Sequence, residues 1–124
     1  MAAEQSNSSG FAARYATALF ELALEDKSLD AIKGDLDRFD ALVVESPDLQ
    51  RLVRSPVFTA EDQTRALSAV LDRAEIGGLA AKFLKVVAGN RRLFAVREII
   101  SAYRTLVARH KGEVTVQVTL AEAP

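Results

Sequence analysis

An all-α fold, a six-helix bundle followed by a single strand segment, is the class this sequence predicts, on three observations. Apolar residues recur with the helical period from Phe11 to about His110. Turn-forming pairs and triplets (Ser46-Pro47, Ser55-Pro56, Gly77-Gly78, Asn90-Arg91-Arg92) cut that stretch into pieces of helix length. A strict period of two begins only after Gly112.

The pieces follow in order. The first helix is expected from about Ser9 to Glu25, with Ser8 or Ser9 as its N-cap. The second begins near Ser28 and stops at Ser46-Pro47, because the residue before a proline avoids the helical region. A short third helix covers Pro47 to Val53. Thr59 caps the fourth, with Glu61 and Asp62 placed favourably in its first turn, and this helix ends near Ala74. The fifth runs from about Leu79 to Gly89, and the sixth from about Phe94 to Lys111, closed by Gly112. Beyond it Val114, Val116, Val118 and Leu120 alternate with Glu113, Thr115, Gln117 and Thr119, as in a half-buried strand. A lone strand lacks partners for its backbone groups. It is therefore expected to belong to a second domain that this sequence lacks. The expected organisation is a disordered tail over residues 1–10, a six-helix domain over 11–111, and a linker with a first strand over 112–124.

Composition narrows the function. The chain has 124 residues, 49% of them hydrophobic and 27% charged, which is ordinary for a globular domain. It holds no Cys and a single His110, so thiolate chemistry is excluded and a histidine-built metal centre cannot form. No apolar run approaches the ~20 residues of a membrane span. The opening residues lack the basic start of a secretory signal and the Arg-rich pattern of a transit peptide. The net charge of −1 is unevenly spread: residues 1–62 carry 6 basic and 12 acidic side chains, residues 63–124 carry 10 and 5. The expectation is that the two halves fold against each other with complementary fields. The rival is a nucleic-acid surface on the sixth helix (Arg97, Arg104, Arg109, Lys111). No aromatic residues interleave with those arginines as a base-stacking surface requires.

No constellation supports catalysis. His110 sits between Arg109 and Lys111 with no acid nearby in sequence to orient it, and reads as a solvated helix-end residue. Gly77, Gly78 and Gly89 do not lie between a strand and a helix as a phosphate-cradling loop would need. Asp35 with Asp37, and Glu61 with Asp62, read as solvated faces and first-turn acids. Arg91-Arg92 reads as a basic turn.

The apolar arcs are more informative, since each helical residue advances ~100° round the axis. In the second helix Leu29, Ile32, Leu36, Phe39 and Val43 form one core stripe opposite Lys33, Asp37 and Asp40. The sixth likewise has one stripe, Val96, Ile99, Ile100, Tyr103, Leu106 and Val107. The first helix has two: Phe11, Tyr15, Ala18 and Leu22 on one, and Ala12, Ala16, Leu19, Phe20 and Ala23 on the other. So does the fifth, with Leu79, Phe83 and Val86 beside Ala80, Leu84, Val87 and Ala88. A bundle helix needs about one stripe for its core. Either both helices are central and buried on two sides, or the spare stripes form a groove for a partner's amphipathic helix. The pattern alone leaves both readings open.

The residues also resemble a known family. Ala13-Arg14-Tyr15-Ala16-Thr17-Ala18-Leu19-Phe20-Glu21-Leu22-Ala23 resembles the opening helix of the delta subunit of F-type ATP synthase, the relative of the oligomycin-sensitivity-conferring protein. The similarity continues through Leu52-Val53-Arg54-Ser55-Pro56-Val57, then Asn90-Arg91-Arg92-Leu93, and ends at Gly112-Glu113-Val114-Thr115-Val116-Gln117-Val118-Thr119-Leu120-Ala121. Gln63 departs from it, standing where a basic residue is expected. The resemblance implies a non-catalytic stator subunit without cofactor or metal. Its six-helix domain would cap the catalytic head, linking it to the peripheral stalk against the torque of the rotor. It implies that the first and fifth helices bind the N-terminal amphipathic helix of an alpha subunit. The contacts carried over are Phe11, Tyr15, Ala18, Leu22, Leu79, Phe83 and Val86, with Lys82 and Asn90 at the rim. The missing second domain would meet the peripheral-stalk b subunits. The location implied is the cytoplasmic face of a bacterial inner membrane, reached through the complex, with no nucleic acid involved. A helical adaptor for another partner helix is the remaining alternative.

Overall fold

A computed structural model describes the backbone of residues 2–122 and the side chains of residues 10–112. Among the described residues the chain forms six α-helices and no strand: α1 (Ala2–Asp26), α2 (Leu29–Glu45), α3 (Pro47–Arg54), α4 (Ala60–Arg73), α5 (Gly78–Gly89) and α6 (Val96–Glu122). A 3₁₀ turn, Leu93–Ala95, leads into α6.

The interior boundaries fall within a few residues of those read from the sequence, because most are set by local chemistry. The Ser46 hydroxyl accepts from the Leu49 N–H at 3.1 Å, with Pro47 in the first turn of α3. Thr59 does the same for the Asp62 N–H at 3.0 Å and starts α4. Three other ends close without glycine. Lys27, Glu75 and Arg91 take the left-handed conformation, at φ 56°, 60° and 59°. The following amides then reach back to the helix: Ser28 N–H to Ala23 O at 2.9 Å, Ile76 N–H to Leu71 O at 2.9 Å, and Arg92 N–H to Val87 O at 3.0 Å.

The two outer ends differ from expectation. The expected tail is helical from Ala2, so neither Ser8 nor Ser9 caps α1. Extending an existing helix needs no new nucleation, and Ala2, Ala3, Glu4 and Gln5 are good helix formers. The expected strand is also helical: α6 continues through Gly112 to Glu122. A strand would leave its backbone groups unpaired in this chain, whereas a helix satisfies them within the segment. The cost of one interior glycine, about 1 kcal/mol, does not outweigh that.

The core joins all the helices. α1 lies chiefly along α6, and α4 along α5. Leu19, Leu36, Phe39, Leu67, Leu84, Ile99, Ile100 and Tyr103 are fully buried. Each such side chain contributes about 1.5–3 kcal/mol of transfer free energy. The Tyr103 hydroxyl donates to Leu29 O at 2.9 Å, fixing α6 against the start of α2. Gln63 is buried, and its amide donates to Leu52 O at 2.9 Å. A neutral amide thus satisfies a backbone carbonyl near the end of α3, where a buried cation would demand a counter-charge.

The polar back of α2 is not simply solvated. Asp40 is buried and accepts from the Arg97 Nε at 2.7 Å and an Arg104 Nη at 3.3 Å. Asp37 accepts from the Arg104 Nε at 2.6 Å and from Lys33 at 3.0 Å. Lys111 pairs with Asp30 one step further along. The complementary halves of the charge pattern therefore meet at the α2–α6 contact.

Candidate functional site

The two stripes of α1 part company in the fold. Ala12, Ala16, Leu19 and Ala23 are buried, mostly against α6, and small side chains there let the two helices approach closely. The other stripe faces outward: Phe11 and Tyr15 are half-buried, Ala18 is exposed, and Leu22 is 48% exposed. The same division holds on α5. Ala80, Leu84, Val87 and Ala88 are buried, Leu79 is half-buried, and Val86 is 55% exposed. Phe83 is the exception on its stripe, at only 9% exposed, because it forms the floor between the helices.

Aromatic side chains bridge that floor. The Tyr15 ring meets Phe83 edge-on, with centroids 6.2 Å apart, and meets Phe11 at 6.4 Å. The Asn90 side-chain amide, at the end of α5, donates to the Tyr15 hydroxyl at 2.9 Å. This bond satisfies the polar end of Tyr15 while its apolar body stays available. At the opposite end Leu22, Leu79 and Lys82 line a cleft of about 480 Å³ together with Glu25 and Asp26. Ring contacts and a hydrogen bond thus join Phe11, Tyr15, Phe83 and Asn90, and one cleft groups Leu22, Leu79 and Lys82; Ala18 and Val86 are exposed on the same two helices, one turn from Tyr15 and Phe83.

The sequence reading missed four residues of this face. Phe94 reads in sequence as a helix start, Arg92 as part of a basic turn and Glu25 as a helix end, while Asp26 carries no signal there. Phe94 lies on the 3₁₀ turn yet touches Phe11, with centroids 5.9 Å apart. The Arg92 guanidinium sits 4.9 Å from the Phe11 ring centre. Their adjacency in sequence to Asn90 was the one available signal.

The rest of the surface offers less. An apolar cleft of about 590 Å³ lies between α2, α3 and α4, floored by Leu42, Leu49, Leu52, Phe58 and Val70. Those five side chains are buried or half-buried, whereas Leu22, Val86 and Phe94 of the α1–α5 face are exposed. His110 is half-buried edge-on against Phe20, at 5.8 Å, and so is packed where a fully solvated residue was expected. Of the four cations proposed as a nucleic-acid surface, Arg97, Arg104 and Lys111 are bonded to carboxylates of α2. Phosphates would have to compete with those carboxylates for them. Among the described residues no helix is long and apolar enough to cross a membrane.

Comparison with known proteins agrees with this architecture. The family model for the ATP synthase delta (OSCP) subunit matches residues 11–123. The chain is 67% identical, over 122 residues, to the ATP synthase subunit delta of Nitrobacter hamburgensis, covering 98% of this chain and 66% of that protein. It is 63% identical over 122 residues to the subunit of the same name from Rhodopseudomonas palustris, covering 98% of this chain and 66% of that one. The Bradyrhizobium diazoefficiens subunit is 62% identical over 123 residues, covering 99% and 66%. The chain thus spans 66%, just under two thirds, of the length of the relatives it matches. Among solved structures, a chain of the Polytomella F-ATP synthase, from a cryo-EM refinement focussed on the F1 head and rotor, superposes with a TM-score of 0.73 at 27% identity. That match covers 81% of this chain and 88% of that one.

Proposed function

This chain belongs to the ATP synthase delta (OSCP) subunit family, and from that premise we propose that its α1–α5 face holds the N-terminal amphipathic helix of an alpha subunit. The protein acts as a stator part and performs no chemistry of its own. It ties the catalytic head to the peripheral stalk, whose b subunits meet a second domain. Its place is the cytoplasmic face of a bacterial inner membrane, held there by the complex.

The observation that carries this reading is the doubled stripe. α1 and α5 each bury one apolar row in their own bundle and leave a second row, Tyr15 with Leu22 and Leu79 with Val86, on one shared face. Exposed apolar surface of this kind, flanked by polar groups, marks a site of protein association. The spacing of Phe11, Tyr15, Ala18 and Leu22 presents a ridge about three turns long, matched to a helix laid alongside. Resistance to torque requires slow dissociation, and slow dissociation comes from buried aromatic and aliphatic anchors.

Calorimetric titration with a synthetic peptide of the alpha-subunit N-terminus tests the reading. The expected result is 1:1 binding with a negative heat-capacity change and only weak dependence on salt. Absence of binding at both low and high salt, or binding undiminished by Tyr15→Ala, would rule out the groove.

A further inference from the structure

The apolar strip continues past the end of α5. Phe94 is 54% exposed, although its neighbours Leu93 and Ala95 are buried. Its ring lies edge-on to Phe11 at 5.9 Å, with an interplanar angle of 72°. Phe11 in turn touches Tyr15, so the apolar surface runs unbroken from the groove floor onto the 3₁₀ turn. The Arg92 guanidinium lies over the Phe11 ring, 4.9 Å from its centre. A guanidinium held on a ring still offers its edge N–H groups to a carboxylate, and the stacking reduces the entropy lost when it binds one. Arg91 stands beside it, donating to Phe58 O at 3.4 Å. The far end of the groove has the opposite balance, with the carboxylates of Glu25 and Asp26 against the single ammonium of Lys82.

We propose that Phe94 and Arg92 extend the docking groove beyond α5, taking from the same partner helix one apolar side chain on Phe94 and one carboxylate on Arg92. This rests on the reading of the α1–α5 face as the alpha-subunit site, and it names what that site selects. The extension lengthens the recognised ridge past Phe11 and gives one end a charge requirement that an apolar groove lacks. Register along a uniform apolar groove is weakly defined, because shifting a helix by one turn exchanges similar contacts. A carboxylate on Arg92 fixes it.

The test uses the same alpha-subunit peptide and the whole chain. Phe94→Ala is expected to weaken binding about 10-fold, with the helical circular-dichroism signal and melting temperature unchanged. Arg92→Gln is expected to weaken it about 3- to 10-fold at low salt, a loss that shrinks as salt rises. Replacing peptide carboxylates by amides one at a time should find one substitution that reproduces the Arg92→Gln loss on the wild-type chain and adds nothing on the Arg92→Gln chain. As a check independent of folding of the variants, NMR shifts of the Phe94 amide and ring in the wild-type chain should move with those of Tyr15 as peptide is added. Phe94→Ala within twofold of wild type, or unmoved Phe94 resonances, while Tyr15→Ala still weakens binding, overturns the extension and leaves the groove standing. No binding by the wild-type chain overturns both.

Discussion

The α2–α6 face and the α1–α5 face are each built by one helix from the acidic half of the chain and one from the basic half. The first engages its polar side chains inside the molecule: Asp37 and Asp40 take up Arg97 and Arg104, and Asp30 takes up Lys111. Little is left there for a ligand. The second buries one apolar row of each helix and leaves the other row outward, so that Phe11, Tyr15 and Leu79 stay half-buried and Leu22 and Val86 exposed. A face whose interactions are completed within the chain stabilises the fold; a face whose apolar area stays in contact with water is stabilised by a partner. The contrast lies in which residues are buried, since both faces contain apolar and charged side chains in quantity.

The sharpest way to break this comparison is to put a charge on the open face. Val86→Asp should lower affinity for the alpha-subunit peptide by about 100-fold or more, measured by calorimetry. Its melting temperature should stay close to wild type, because Val86 is already 55% exposed. An equal loss of stability and affinity would mean that the face is core.

A pair of alanine enlargements separates the two stripes of α1. Ala16→Leu should destabilise by about 1–3 kcal/mol, because Ala16 is fully buried. Ala18→Leu, on the exposed stripe, should stay within about 0.5 kcal/mol. Urea unfolding of the two variants measures both, and similar losses would sink the assignment of stripes.

The closed face is probed through its charges. Asp40→Ala strands Arg97 and leaves Arg104 with Asp37 alone, and should cost about 1 kcal/mol, less than a fully buried pair because both arginines keep contact with water. Peptide affinity should be unchanged. A binding loss as large as the stability loss would show that the two faces are coupled.

The smallest effect is on acid stability. Burial raises the Asp37 carboxyl, but hydrogen bonds from Lys33 and Arg104, and their charges, outweigh it and hold the group below its ordinary 3.8. A depressed folded-state value contributes stability that is fully present above the unfolded value, ~3.9, and is lost as pH falls through the folded one. Asp37→Asn should therefore lower stability at neutral pH, and the gap to wild type should close as pH falls below about 4. A gap that stays constant down to pH 2 would assign the loss to packing. At the alkaline end the buried Tyr103, raised chiefly by burial and then by the charge of Asp30 to about 12, should ionise only together with unfolding. Phenolate absorbance of the wild-type chain and of Tyr103→Phe, followed with the helical signal, reads this directly.

Much of the fold was legible because its signals are local. Ser46-Pro47 and Thr59 set helix starts by hydrogen bonds within four residues, and the single stripes of α2 and α6 give their core faces by periodicity alone. The closures at Lys27, Glu75 and Arg91 were less visible, since their sequence carries no glycine to mark a left-handed residue. The alternation after Gly112 falls on the end of α6 in this structure, since period-two patterning states which side chains a strand would bury and does not itself pair the backbone.

The sequence by itself determined the helix count, the stripes and the resemblance to a family, since periodicity, capping chemistry and motif order are all written along the chain. Only the tertiary structure decided which stripe of α1 and α5 goes inward, that Asp37 and Asp40 pair with arginines of α6, and that Phe94 and Arg92 pack against Phe11. The reason is physical. A helix with two apolar rows can bury either, and the choice is made by the neighbour that packs most closely. Here α1 turns its row of Ala12, Ala16, Leu19 and Ala23 toward α6, its chief neighbour, while α5 packs chiefly on α4 and leaves Val86 outside.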